Sequence, residues 1–126
     1  MHRTVAAAFL ILAVTVPLSF AADKQQFSAA IAAVDANLKT PEGKKYEEQM
    51  NTEFPQKFLP AFRQCKQSAG SSSGLDMFLK LSAGGKVQEA LIHPENPFTT
   101  CARAAVAGGQ LSAPPHDDYW INIHLQ

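Results

Sequence analysis

The sequence predicts an α+β fold: a small antiparallel sheet in the order hairpin, helix, strand, packed against N-terminal helices and stapled by one disulfide. Three observations carry that reading. Apolar and polar residues alternate on both sides of Ser82-Ala83-Gly84-Gly85, residues 97–106 change to a helical period, and residues 119–125 return to alternation. Everything before Gly74 reads as an export signal followed by helices that cover one face of the sheet.

The first stretch, residues 1–21, opens with His2 and Arg3 and continues as an apolar run from Val5 to Phe20. Ser19 and Ala21 then place small residues at the −3 and −1 positions of a cleavage site, the pattern of a signal peptide. The alternative is a retained anchor. Pro17 and a run shorter than the ~20 residues a spanning helix needs argue against it. Cleavage after Ala21 leaves 105 residues with ten basic and eleven acidic side chains. So even a balance gives no electrostatic case for nucleic acid or for an anionic membrane surface. The expected location is the periplasm or the exterior, free of the membrane once the signal is removed.

A domain of this size buries roughly two-thirds of its unfolded surface, so a further constraint helps it. Cys65 and Cys101 are the only cysteines, and an oxidising compartment favours their pairing. The bond closes a loop of 36 positions, for which chain entropy gives roughly 3–4 kcal/mol. No CxxC or adjacent Cys-His pair supports a reactive thiol instead.

The elements follow in order. Residues 22–39 form an N-terminal helix in which Phe27, Ile31, Val34 and Leu38 make one stripe opposite Gln25, Asp35 and Lys39. Its polar side lacks the basic residues a membrane-surface helix needs. Thr40-Pro41-Glu42 starts a second helical region, 41–67, with a cap, a first-turn proline and a carboxylate. Tyr46, Met50, Phe54, Phe58, Phe62 and Cys65 recur on one face, a core stripe more readily than a ligand groove. Pro55 and Pro60 predict a bend or break near Asn51–Pro55. Ser68 to Gly74 is a connector, and its serines stand in no G-x-S-x-G context.

The hairpin covers 74–93. Leu75, Met77, Leu79 and Leu81 form the buried phase of its first strand. On the return, Val87 lies on one phase and Ala90 and Ile92 on the other, which predicts a β-bulge near Gln88-Glu89. Asn96-Pro97 caps a helix over 97–107 in which Phe98, Cys101, Ala102, Ala105 and Val106 keep helical spacing, and Gly108-Gly109 ends it. Pro114-Pro115 leads into a last strand over 117–125, with Tyr119, Ile121, Ile123 and Leu125 on one phase.

The Gly-Gly turn followed by Lys86-Val87, the strand ending at Pro94, the small-residue helix at Thr100–Val106, the Pro114-Pro115 pair and the alternating last strand together resemble the C-terminal domain of TonB-type energy transducers. The resemblance spans about half of the mature chain. It implies a periplasmic domain that captures an extended peptide by strand addition. The retained anchor and proline-rich spacer of transducers have no counterpart in this sequence, and Leu111 to Ala113 stand where an aromatic commonly precedes the proline pair. Fold and binding mode carry over, and energy transduction does not.

Two functional expectations follow. The first is an exported binding or adaptor module that receives a peptide of the cell envelope at a sheet edge, Asp118–Leu125, with Tyr119, Trp120, Asn122 and His124 as candidate contacts and no cofactor. Trp120 lies on the phase opposite Ile121, so it is either an exposed anchor or covered by the 22–39 helix. The second is a small exported hydrolase or metal-binding protein using His93, His116, Asp117 and His124, whose residue types suit zinc or copper but whose spacing matches no ligand motif. A binder leaves a strand edge open beside an apolar residue. A metal protein or enzyme brings at least two of those histidines together at a pocket.

Overall fold

The computed structural model describes residues 24–71 and 74–125. The signal sequence read over 1–21 lies outside the described residues. Among the described residues, three helices and three strands follow one another as α1 (Lys24–Asn37), α2 (Pro41–Ala69), β1 (Asp76–Leu81), β2 (Val87–His93), α3 (Pro97–Val106) and β3 (Tyr119–His124). The strands form one antiparallel sheet in the order β2-β1-β3. Fold class and disulfide are therefore as the alternation and the cysteine pair imply.

Each boundary has a local cause. Thr40 caps α2, its hydroxyl accepting from the Gly43 N–H at 3.0 Å, and Pro41 occupies a position that needs no donor. Asn96 and Thr99 form a reciprocal capping box at the start of α3. The hairpin turns through Gly85 at φ +89°, a left-handed conformation that glycine adopts without a Cβ penalty. Lys80 pairs with Glu89 and Leu81 with Val87, so Gln88 is the extra residue of the bulge.

The proline expectation needs correction, because α2 runs unbroken through Pro55 and Pro60. Each interior proline costs about 3 kcal/mol. Phe54, Phe58 and Phe62 are all buried, with ring centroids 4.8 Å apart for the first two and 5.9 Å for Phe54 and Phe62. Burial of such side chains contributes about 1.5–3 kcal/mol each. Core packing along the stripe offsets the local penalty.

The helices cover both faces of the sheet, not one. On one face, α2 and α3 bury Met77, Leu79 and Leu81 of β1, Ile92 of β2, and Tyr119, Ile121 and Ile123 of β3 in the main core. On the other, α1 packs Ala30 and Val34 on Phe78 and Leu91. β1 is thus buried on both sides, since Phe78 belongs to the second core. The α1 stripe is also rotated from its expected position. Ala30 is buried, while Ile31 is 47% exposed. The methyl of Ala30 lets the helix lie close over Phe78, which a larger residue there would prevent.

Cys65 of α2 and Cys101 of α3 are bonded, with their Cα atoms 5.6 Å apart. The bond joins the two helices of the main core above the same face of the sheet. No helix among the described residues is long and apolar enough to cross a membrane.

Candidate functional site

Directly paired residues of antiparallel strands project to the same face. On the α1 face the register therefore makes three rows: His93, Asp76 and His124; Leu91, Phe78 and Asn122; Glu89, Lys80 and Trp120. The helix α1 crosses these rows obliquely. At its start, Phe27 meets Phe78 and His93 edge to face, at centroid distances of 6.0 and 6.2 Å. At its end, the Asn37 amide donates to the Trp120 carbonyl at 3.1 Å.

That last bond also orients the edge strand. The N–H and C=O of one residue in an extended antiparallel strand point to the same side, and the side alternates along the chain. With the Trp120 carbonyl directed away from β1, the backbones of Asn122 and His124 face outward as well, while Tyr119, Ile121 and Ile123 bond to β1. Among the described residues, no backbone hydrogen bond ties β3 to anything but β1. The outward side of β3 lies in a cleft between α1 and α2, with Val34 and Asn37 on one wall and Gly43 and Met50 on the other. The α1–α2 turn closes the cleft at Trp120.

The other edge is less available. The Val87 N–H donates to Gly109, the Leu111 N–H donates to Gly85, and Lys86 bridges to Gln110. The segment after α3 thus occupies the start of β2.

The candidate partner residues fall into different environments. Tyr119 is 3% exposed, its ring against Tyr46 and His116, so it belongs to the core and offers no contact surface. Burial pushes its phenol above the ordinary value, with the Glu47 carboxylate adding to the rise. Trp120 is half-buried and packs on the α1 core, with the Lys80 ammonium 5.9 Å from its ring centroid. His124 is exposed at the end of β3.

Asn122 is the polar group that the fold leaves unfinished. Its side-chain oxygen is buried and has no hydrogen-bond partner among the described residues. A buried unmatched acceptor costs about 1–3 kcal/mol. Beside it, a groove of about 760 Å³ runs between α1 and the sheet, walled by Phe27, Ile31, Val34 and Phe78, with His93 at its rim. Alternation marks Asn122 as non-core, but only the position of α1 shows that its amide is enclosed.

The four residues of the hydrolase or metal reading are divided. His93 and His124 flank Asp76 at one end of the sheet. His116 and Asp117 lie at the opposite end, before β3. Asp117 accepts from the Ala83 N–H at 2.8 Å and so fastens the hairpin turn. His116 approaches the Asp117 carbonyl at 2.7 Å and the Asn37 side-chain oxygen at 3.3 Å, linking the approach to β3 with α1. Among the described residues, no group of three or more His, Cys, Asp or Glu side chains is arranged to hold a metal ion.

Comparison with known proteins yields no match to this chain among family models, curated proteins or solved structures.

Proposed function

We propose that this protein is a small exported binding module that captures an extended peptide at the outer edge of β3. The observation that carries the reading is the outward-facing backbone of Asn122 and His124 on an edge strand whose outer side makes no backbone hydrogen bond among the described residues. A strand pairing there gains main-chain hydrogen bonds without any change in the existing sheet. The α1–α2 turn at Trp120 limits the captured segment to the Asn122–Leu125 end. Similarity to the TonB-type C-terminal domain supports strand addition as the binding mode, and the signal sequence read in residues 1–21 supports an envelope or extracellular partner.

The test is selection from a displayed heptapeptide library, repeated with His124→Pro. Proline removes an N–H that points away from β1, so pairing within the sheet is retained. The expected outcome is capture of alternating peptides by the native protein and its loss in the variant, with an unchanged melting temperature. Equal capture by both proteins would place the binding surface elsewhere.

A further inference from the structure

We infer that the groove between α1 and the sheet is a subsite for one aromatic side chain carrying a hydrogen-bond donor, tyrosine or tryptophan, delivered by the captured strand together with a lysine or arginine two positions away. The inference rests on strand capture at β3 and adds the chemistry of the captured segment.

Register fixes the placement. A peptide residue paired opposite Asn122 projects to the same face as Asn122 and so enters the groove. The apolar walls call for a large apolar body. Ile31, the large hydrophobic residue left 47% exposed among those described, stands in one wall and is covered once the groove is filled. The buried Asn122 oxygen calls for a donor, since it accepts from nothing among the described residues. A phenol O–H or an indole N–H on an aromatic ring meets both demands, whereas leucine or phenylalanine satisfies only the first.

The charge follows from the same register. The next peptide residue on this face lies opposite His124, in the row that contains Asp76. Asp76 and, from α1, Asp35 both line the groove, against the single lysine Lys24, and neither carboxylate is in an ion pair among the described residues. A cationic side chain at that position lies beyond His124, on the face of the sheet that carries Asp76 and is crossed by α1 with Asp35.

Acetylated hexapeptides test this by calorimetry, with β3 amide shifts followed by NMR. Thr-Val-Tyr-Val-Lys-Thr serves parallel pairing and Thr-Lys-Val-Tyr-Val-Thr antiparallel pairing, each compared with its phenylalanine counterpart. The tyrosine peptide is expected to bind about tenfold more tightly than the phenylalanine peptide, and the difference is expected to vanish in Asn122→Leu. Asp35→Asn is expected to weaken the lysine peptides roughly two- to fivefold and to reduce their salt dependence. The tyrosine-to-phenylalanine comparison uses the unaltered protein, so it stands even if a variant folds poorly. Equal affinity of the two peptides, with the β3 amides still shifting, overturns the subsite and leaves strand capture intact. Peptides that shift no β3 amide overturn strand capture itself, and the subsite with it.

Discussion

Gly43 shows at the residue scale how tightly the α1–α2 turn is folded beside Trp120. A Cβ built there would lie 1.8 Å from the Asn37 carbonyl oxygen. Only glycine lets α2 begin so near the end of α1, and Asn37 is the residue that bonds Trp120. Gly43→Ala is expected to cost about 1–3 kcal/mol, as overpacking does, measured as a lower urea midpoint. Glu53 acts in the same region. Burial pushes its carboxyl up, but the hydrogen bonds it accepts from Ser112 and the ammonium of Lys57 outweigh that and leave it below the ordinary carboxylate value. A lowered folded-state value means stability that is present above the unfolded-state titration near pH ~4.3 and lost as pH falls through the folded-state value. Glu53→Gln is therefore expected to be less stable at pH 7 and to show a smaller acid-induced drop in melting temperature. Neither role was legible in the sequence. Gly43 reads there only as a poor helix former, and Glu53 as one of several exposed acids, because both depend on segments distant in the chain.

At the scale of elements, the sequence was most informative where a pattern is local. The capping residues Thr40 and Asn96 start their helices, the phase change after Val87 marks the bulge, and the stripe ending at Cys65 points that sulfur into the core. It was least informative about α1. A stripe of Phe27, Ile31, Val34 and Leu38 gives an amphipathic helix but not the face of the sheet that receives it, and the close approach at Ala30 rotated the buried side away from Ile31. Phe78 marks the same limit, since alternation places it opposite the leucine phase and only the position of α1 shows that it is buried. The disulfide carries the element-scale prediction. Because it ties α2 to α3 across 36 positions, Cys65→Ser is expected to cost roughly 3–4 kcal/mol, which is a large fraction of the stability of a domain this small. Circular dichroism under oxidising conditions reads this as a lower melting temperature with an unchanged folded spectrum. An unchanged midpoint would contradict the contribution assigned to the bond.

Over the whole molecule, three layers leave the central strand buried on both faces and the two outer strands in different states. The segment after α3 occupies the start of β2, while β3 keeps its outer side at Asn122 and His124. The two helical layers carry different loads. The one with the disulfide and the aromatic core holds the sheet, and α1, with a core of four buried residues, leaves the groove beside Asn122. Binding at the lightly covered layer leaves the main core undisturbed. The most direct measurement is amide hydrogen exchange across β3 with and without the tyrosine–lysine peptide. Peptide capture at this edge predicts strong new protection at Asn122 and His124, with Ile121 and Ile123, already bonded to β1, changing little. New protection confined to β2, or none on β3 at saturating peptide, would contradict it.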